Sequence, residues 1–379
     1  MRLKIVLDSH IPFAQDIFSK MGEVNAVAGH QIVPETVKKA NILIVRSVTK
    51  VDKALLHGSV ISFVGSATAG IDHIDTEYLS ECGVEFASAP GANAESVVEY
   101  VLSSMSLLGA KYNVDFRSRT LGIIGCGHVG ALLATRCAAL GMKVIQNDPP
   151  REAVEGSTGF HNLESLLRQS DIVSIHTPLC TSGKHPTAGL IGSKQLSYLN
   201  TGAWIINTAR GGICNEQDMV DARNEGHLGA LVLDVWENEP TPALSSIDSA
   251  DIATGHIAGY SSDAKRNGVH MIAKGIRQHF GLKELQKGTI PAESNVISLP
   301  NVSPSQPAFM HELISQMMDI ASDDHSFRSV MKVESLRAES FHRYRATYPE
   351  RWSFGRYASE ADNEHSDLLT ALGIGNRKR

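Results

Sequence analysis

The sequence has few cysteines, and none of them stands in a spacing typical of a metal module or a disulfide framework. Five cysteines are spread over 379 residues, and no two form a C-x-x-C pair. Zinc modules and disulfide scaffolds repeat their cysteines at short spacings. The pattern therefore predicts free thiols in a reducing compartment and no metal site.

Long apolar runs and an excess of basic residues are also missing. No uninterrupted apolar stretch approaches the roughly 20 residues of a membrane-spanning helix, and the first residues lack the apolar core of a signal peptide. The formal net charge is -6, which argues against general nucleic-acid binding. We therefore expect a cytoplasmic protein with no membrane partner and no nucleic-acid partner.

What is present is an ordinary globular composition with alternating strand and helix patterns. The chain is 42% hydrophobic and 20% charged, and its 379 residues suffice for two or three domains. Several short apolar segments end in polar residues. This arrangement is typical of a parallel sheet that carries its site along the carboxyl ends of the strands.

A glycine-rich segment between Thr120 and Asp148 carries the most specific pattern. An apolar strand leads into Gly125, Gly127 and Gly130, a helix follows, and a second strand ends on Asp148. The three glycines permit a tight turn, a close approach to a pyrophosphate and close packing of helix on strand. The pyrophosphate would bind the free N–H groups at the helix N-terminus.

Asp148 indicates which dinucleotide this unit prefers. It lies about 20 residues beyond the glycine turn, where an acid accepts hydrogen bonds from the ribose hydroxyls. A carboxylate at this position would repel a 2′-phosphate. The sequence therefore predicts NAD as the cofactor, and Pro149 and Pro150 are expected to close the strand–helix–strand unit.

Polar residues also follow two apolar strands of the N-terminal region. Arg46 and Ser47 come after one strand, and a small, hydroxyl-rich segment that includes Thr68 follows another. Backbone N–H groups of such a segment can surround an anion. The alternative stays open that Ser47 and Thr68 only satisfy turns and that Arg46 is a surface charge.

The order of these elements divides the chain into three parts. We predict an α/β fold with two Rossmann-like, doubly wound parallel-sheet domains and a cleft between them, plus a small C-terminal α+β dimerisation domain. The expected parts are a substrate-binding domain (1–95, completed by 257–285), an NAD-binding domain (96–256) and the C-terminal domain (286–379). Helices over 90–110 and 261–281 would connect the first two domains, and a further helix is expected over 310–320.

Four polar residues near later strand ends could perform a redox reaction on a hydroxyl-bearing carbon. His256 could accept the hydroxyl proton, since histidine titrates near neutrality, and Glu239 could orient its ring. Arg210 could hold a substrate carboxylate through two hydrogen bonds, and Asp234 would order the site. Each also has a structural alternative, which for His256 is a hydrogen-bonded histidine without a catalytic role.

The order of these motifs resembles the D-2-hydroxyacid dehydrogenase family over roughly residues 1–285. The resemblance rests on the glycine triplet, Asn207–Gly212, Leu233–Pro240 and Gly255–Tyr260. Within the family, segments 46–51, 67–73 and 256–260 resemble members that oxidise 4-phospho-D-erythronate with NAD, on the route to pyridoxal phosphate. The resemblance also implies a homodimer formed through the C-terminal domain.

The resemblance assigns roles to individual residues. It implies Arg210, Glu239 and His256 as active-site residues and Ser47, Thr68 and Tyr260 as substrate contacts, and Arg46 is available for the substrate phosphate. The NAD contacts expected from the glycine turn and the resemblance together are Gly125, Gly127, His128, Val129, Gly130, Asp148, Thr177, Asp234 and Gly259.

Two other functions remain open. The chain could oxidise a different acid, such as 3-phosphoglycerate or glycerate, although the C-terminal segment lacks the strand pattern of a small regulatory domain. It could also be an NAD-sensing protein without turnover. The basic and aromatic segment 341–345 could reach a substrate phosphate or could simply be a solvated charged face.

Overall fold

The computed structural model describes residues 2–283, 295–359 and 365–376. These residues fall into two compact units. The first runs to Ala94 and resumes at Tyr260, and the second contains Glu95–Gly259 and the described residues from Asn295 onward. The predicted boundary near 285 and 286 lies outside the described residues.

The first unit is built on a five-stranded parallel sheet. Its strands are β1 (Leu3–Asp8), β2 (Gly22–Val27), β3 (Ile42–Val45), β4 (Phe63–Ser66) and β5 (Glu85–Ala87), in the order β2-β1-β3-β4-β5. The connecting helices are α1 (Ala14–Phe18), α2 (Pro34–Val37), α3 (Lys53–Leu56) and α4 (Thr76–Glu81).

Strand β2 was not predicted from the sequence. It pairs with β1 alone and lies at the sheet edge, where Glu23 and Asn25 interrupt the apolar pattern of a buried strand. The central strands β1, β3 and β4 are buried on both faces because their alternate side chains enter two separate hydrophobic clusters. Parallel sheets require this two-sided cover.

The second unit contains a six-stranded parallel sheet. Its strands are β6 (Thr120–Ile124), β7 (Lys143–Asn147), β8 (Ile172–Ile175), β9 (Ala203–Asn207), β10 (Leu228–Leu233) and β11 (Ile252–Ala253), in the order β11-β10-β9-β8-β6-β7. The strand order reverses beside β6, which makes the carboxyl end of β6 the expected binding position in a doubly wound sheet. The prediction of parallel-sheet α/β units is confirmed.

The long helix α5 (Ala94–Tyr112) precedes the first strand of this second sheet. The helices between its strands are α6 (His128–Ala139), α7 (Pro149–Glu155), α8 (Leu163–Gln169), α9 (Ser193–Leu196), α10 (Glu216–Asn224) and α11 (Leu244–Ser249). The long helix α12 (Ser262–Phe280) follows β11 and belongs to the first unit. Its side chains Val269, Ile272 and Ile276 pack in the same cluster as Ile5 and Phe63.

The C-terminal segment packs with the second unit. It has the helices α13 (Pro307–Ser315), α14 (Ile320–Val330), α15 (Arg337–Ala346) and α16 (Ser366–Leu372), and a parallel sheet of β12 (Asn295–Ile297), β13 (Tyr357–Ser359) and β14 (Gly375–Asn376). The single helix predicted over 310–320 is wrong. Asp319 accepts a hydrogen bond from the Ser322 N–H and caps a new helix, as N-terminal caps do.

In the described ranges, no helix combines the length and the apolarity that a membrane crossing requires.

Candidate active site

The glycine turn after β6 has the geometry of a phosphate cradle. Gly125 has a φ of 86°, and a Cβ there would lie 2.7 Å from the Thr177 nitrogen. A Cβ on Gly130 would collide with the Gly125 carbonyl oxygen. Both positions therefore require glycine, for a left-handed turn and for close helix packing respectively.

Gly127 is open to a ligand. It precedes α6, and a Cβ built on it meets no heavy atom of the described structure within 4 Å. No described side chain caps the helix, whose first residues are His128 and Val129. Since the first N–H groups of a helix lack partners within the helix, this end can receive an anion. The residues present therefore fit the pyrophosphate of a dinucleotide.

Asp148 lies beside the glycine turn at the end of β7. Its Oδ2 accepts a hydrogen bond from the Cys126 N–H at 2.8 Å, and its Oδ1 accepts one from the Arg151 N–H at 3.1 Å. The strand–helix–strand unit ends at this point, since β7 stops at Asn147 and the next element begins at Pro149. Pro149 begins helix α7 with Asp148 as its cap, because proline fits the first helical position.

Arg151 is a cation close to Asp148, but it is already paired. Its guanidinium binds both carboxylate oxygens of Glu155 at 2.7 Å and donates to the Cys126 carbonyl. With Arg151 paired to Glu155, the negative charge of Asp148 makes this position unfavourable for a 2′-phosphate, because like charges repel.

The carboxyl end of β8 carries His176 and Thr177. The His176 Nε2 lies 2.8 Å from Ser174 Oγ, and its Nδ1 lies 3.5 Å from Thr208 Oγ1. Burial lowers the pKa of His176 to about 3, so its ring stays neutral near pH 7. The sequence did not single out His176, although its position after a buried strand was a signal.

Arg210 lies in a loop shaped by Asn207 after β9. Asn207 accepts a hydrogen bond from the Ala209 N–H at 3.1 Å and donates to the Arg210 carbonyl at 3.1 Å. A Cβ on Gly211 would collide with the Trp236 carbonyl, so this loop packs directly on the segment after β10. Asn207 was named only as part of a motif, because its role depends on contacts within the folded loop.

Asp234 is buried at the end of β10 and binds the turn that follows β11. Its Oδ1 accepts hydrogen bonds from Thr254 Oγ1 at 2.6 Å and the Ile257 N–H at 2.8 Å. Its Oδ2 accepts one from the Ala258 N–H at 2.9 Å. The side chain therefore orders the backbone around His256, as a fully satisfied buried carboxylate can, and its contact with NAD stays a prediction.

Glu239 and His256 form a hydrogen-bonded pair. Glu239 Oε2 lies 2.8 Å from His256 Nδ1, and Oε1 accepts a hydrogen bond from the Trp236 N–H at 3.1 Å. An ionised carboxylate only accepts, so Nδ1 carries the proton and Nε2 is left to accept another. Burial raises the pKa of Glu239, but the His256 hydrogen bond and the charges of His256 and Arg345 outweigh it and lower this pKa overall.

The backbone at His256 adopts a conformation unusual for a residue with a side chain. Its φ is 58°, in the left-handed region that costs most non-glycine residues energy. The His256 N–H donates to the Asp234 carbonyl at 2.7 Å. Gly259 follows this turn and is partly exposed.

In the first unit, Arg46, Ser47 and Thr68 follow adjacent parallel strands. Val45 and Ser66 pair at the ends of β3 and β4, so the segments after them lie at one edge of the sheet. Arg46 Nε donates to the buried Asp8 carboxylate at 2.8 Å, and Ser47 is exposed.

The hydroxyl-rich segment after β4 is held by its own hydrogen bonds. Thr68 Oγ1 donates to the Gly70 carbonyl at 2.8 Å and lies 2.8 Å from Ser66 Oγ, which also lies 2.9 Å from His73 Nε2. These bonds agree with the alternative that Thr68 only satisfies the hydrogen bonds of a turn. The same bonds also define the shape of the segment, and they do not conflict with substrate binding.

Tyr260 opens the turn before α12. The Lys265 ammonium lies 5.1 Å from the centroid of its ring, and a Cβ on Gly268 would lie 3.4 Å from the Ala67 carbonyl oxygen. Helix α12 therefore runs beside the segment that carries Thr68. Lys265 is a cation that sequence reasoning missed, because only the helical geometry places it next to Tyr260.

The cysteines form no disulfide. All five thiols are free, and burial raises the pKa of Cys126 and of Cys137 to about 12, so these two are unreactive thiols. Among the described residues, no three His, Cys, Asp or Glu side chains cluster in a way that could hold a metal ion.

Comparison with known proteins places this geometry in a family. Residues 106–258 match the model described as D-isomer specific 2-hydroxyacid dehydrogenase, NAD binding domain. The chain is 40% identical to an erythronate-4-phosphate dehydrogenase of Salinibacter ruber over 97% of both chains. It is 39% identical to one of Marinomonas sp. over 98% of this chain and 99% of the relative.

Solved structures share the fold. A 3-phosphoglycerate dehydrogenase of Entamoeba histolytica with NAD+ bound is 26% identical, with a TM-score of 0.62 over 74% of this chain and 96% of that chain. A D-lactate dehydrogenase of Aquifex aeolicus, complexed with NAD and lactic acid, is 24% identical, with a TM-score of 0.61 over 73% of this chain and 95% of its own.

Proposed function

The chain belongs to the erythronate-4-phosphate dehydrogenases of the D-isomer specific 2-hydroxyacid dehydrogenase family, and from that premise we propose that it oxidises 4-phospho-D-erythronate. The product is (R)-3-hydroxy-2-oxo-4-phosphooxybutanoate, and the step belongs to the synthesis of pyridoxal 5′-phosphate. The observation that carries the proposal is the Glu239–His256 pair, with 2.8 Å between the carboxylate and Nδ1.

His256 acts as the general base in this proposal. Its Nε2 takes the proton of the substrate C2 hydroxyl, and Glu239 holds the protonated Nδ1 and stabilises the positive ring that forms. The lowered pKa of Glu239 keeps it ionised for this task. In the reverse direction the same Nε2–H returns the proton to the oxygen.

Arg210 binds the substrate carboxylate. A guanidinium can donate two parallel hydrogen bonds to a carboxylate and so fix the carbon next to it. The hydrogen bonds of Asn207 within the loop hold the backbone that carries Arg210. This placement would set the C2 hydroxyl near His256 and give the reaction its orientation.

The cofactor NAD, when bound, supplies the acceptor for the hydride that leaves C2. Gly125, Gly127 and Gly130 would form its phosphate cradle, together with the N–H groups around His128 and Val129. Asp148 would bind the ribose hydroxyls, since each of its oxygens keeps a further lone pair after the observed hydrogen bonds. Thr177, Asp234 and Gly259 complete the proposed set.

The first unit supplies the proposed substrate contacts Ser47, Thr68 and Tyr260. A phosphate also needs cations or N–H donors, and Arg46 and Lys265 carry the charges near these residues. The homodimer, the role of the C-terminal segment in it and the cytoplasmic location remain part of the proposal.

A substrate panel tests the function. Purified protein with NAD would be given 4-phospho-D-erythronate, erythronate, 3-phosphoglycerate or glycerate, each with and without a 2-oxo acid that can reoxidise tightly held cofactor. We expect strong preference for 4-phospho-D-erythronate over its unphosphorylated analogue. Preference for 3-phosphoglycerate or glycerate would overturn the substrate, and NAD binding without oxidation of any acid would favour a sensor.

A further inference from the structure

The turn that carries His256 is contacted at both ends by the C-terminal segment. This turn, defined here as Gly255–Ala258, follows β11. Helices α14 and α15 reach Gly255, and Arg351 reaches Ala258. Both contacts lie within the second unit, so they can be described from the packing of that unit alone.

Two aromatic rings lie where a side chain on Gly255 would be. A Cβ built there would lie 2.8 Å from Tyr344 Cδ1 and 2.9 Å from Phe327 Cε2. Real Cβ atoms do not approach other atoms so closely. Gly255 is therefore required because α14 and α15 press their rings against the backbone immediately before His256.

The two rings belong to a cluster that also reaches Glu239. Phe327 stacks on Trp236 with ring centroids 5.8 Å apart, and Tyr344 meets the edge of Phe327 at 5.3 Å. The Trp236 N–H donates to Glu239, while its indole N–H donates to the Thr254 carbonyl at 2.9 Å. Trp236 thus connects the cluster to Glu239 and to Thr254, the residue before the turn that carries His256.

Arg351 holds the other end of the turn. It is buried, and its Nη2 donates to the Ala258 carbonyl at 2.9 Å and to the Ser96 carbonyl at 3.3 Å. The next residues are fixed as well, since the Phe354 N–H donates to the buried Glu99 at 2.6 Å. Buried hydrogen bonds of this kind specify one backbone arrangement.

We propose that the C-terminal segment is a positioning element of the active site, which holds the left-handed turn at His256 through Tyr344, Phe327 and Arg351. The inference rests on the proposed role of His256. A left-handed φ at a non-glycine residue persists only where its surroundings impose it, and this segment supplies contacts on both sides. Tyr344 and Arg351 act through His256.

Charged groups near the pair must be considered in any test. Arg345 on α15 lowers the pKa of Glu239, Asp234 lies at the end of β10, and Asp323 on α14 has its pKa raised to about 6, chiefly by burial. Substitution of Tyr344 leaves all three charges in place. Tyr344 also donates a hydrogen bond to the Asp323 carbonyl at 3.2 Å. The variant Tyr344→Phe removes this hydrogen bond and keeps the aromatic ring.

The experiment compares Tyr344→Leu with Phe341→Leu. Phe341 lies on the same helix, is buried in the same cluster and contacts Phe327, but it is not among the three nearest neighbours of a Cβ on Gly255. For Tyr344→Leu we expect a loss of kcat of about 10- to 100-fold, since small misplacements of reacting groups have such effects. The acid limb of its pH–rate profile should move to lower pH.

That pH shift separates positioning from stability. The first proton taken up by the Glu239–His256 pair is stabilised by their hydrogen bond, so a looser pair binds it less tightly. Phe341→Leu should lower the melting temperature similarly and leave the profile in place, and Tyr344→Phe should behave like the wild type. NAD affinity should be unchanged throughout.

Identical profiles and equal rates for the two leucine variants would overturn the proposal. If Tyr344→Leu does not fold, Arg351→Lys decides, because it keeps the charge and removes the Nη2 group that donates both hydrogen bonds, to Ala258 and to Ser96. It should show the same fall in kcat and the same shift, and an unchanged profile would contradict the inference. A wild type that fails to oxidise 4-phospho-D-erythronate would instead refute the proposed function.

Discussion

Two histidines follow strands of the same sheet, and their surroundings differ. His176 follows β8, lies partly buried beside the hydroxyl groups of Ser174 and Thr208, and has its pKa lowered to about 3 by burial. His256 follows β11 and binds the carboxylate of Glu239. Position at a strand end is therefore not enough to identify a general base, and the partner of the ring decides.

The largest effect is expected from His256→Asn. The variant keeps a polar side chain but cannot take the substrate proton, so kcat should fall by about 10²- to 10⁴-fold. Steady-state rates with 4-phospho-D-erythronate would measure the loss, and NAD titration would provide the control. A variant with the normal rate would remove His256 from the mechanism and end its contrast with His176.

Glu239→Gln should have the next largest effect. Glutamine preserves the shape but cannot stabilise a positive ring, so kcat should fall on the order of 10²-fold or more, as when the orienting carboxylate of a triad is neutralised. Glu237→Gln offers a control with the same change at a carboxylate that binds the Glu216 N–H. Equal rates in the two variants would show that the partner of His256 is not important.

Asp148→Ala should change cofactor preference. Loss of its charge removes repulsion of a 2′-phosphate and loss of its oxygens removes ribose contacts, so KM for NAD should rise about tenfold and discrimination against NADP should relax. Asp148→Asn is the matched control, because its amide oxygen can still cap α7. An unchanged NAD to NADP ratio in both variants would refute the assignment.

His176→Gln should alter acid stability more than catalysis. The folded-state pKa of His176 is lowered from 6.5 to about 3, so unfolding takes up a proton as pH falls below 6.5 and stability is lost in that window. Between pH 7 and pH 5 this group should lower the free energy of unfolding by about 2 kcal/mol. Urea titrations at both pH values should show that the free energy of unfolding of the wild type falls by this amount relative to that of His176→Gln, because buried acids such as Asp323 titrate in both proteins and cancel in the difference.

A difference in free energy of unfolding between the two proteins that stays the same at pH 7 and pH 5 would show that His176 does not carry this effect. The variant should also keep the acid limb of the pH–rate profile, because a ring that stays neutral near pH 7 does not shape that limb. Disappearance of the limb would reverse the roles that we assign to the two histidines.

Local patterns predicted much of the fold and part of the site. The glycine triplet could be recognised because the backbone of one short turn leaves no room for a side chain at Gly125 or Gly130. Strand β2 was missed because its polar residues lie at an edge. The splitting of the 310–320 helix was missed because the cap at Asp319 competes with a continuous apolar stripe.

Long-range contacts in the site could not be predicted. The sequence indicated that Asp234, Glu239 and His256 belong together, and the structure shows the hydrogen bonds that connect them through Thr254 and Trp236. Asp234 binds the Ile257 N–H, about 20 positions further along the chain. Tyr344 packs on Gly255, about 90 positions away. No local spacing encodes such contacts.

The most direct test follows a single turnover of NADH formation from 4-phospho-D-erythronate across pH 5 to 9 in the wild type and in His256→Asn. If His256 takes the substrate proton, the wild-type rate falls on the acid side, and the much slower variant shows no such limb. If the variant retains the same acid limb at a similar rate, another group takes the proton, and the account of the Glu239–His256 pair is wrong.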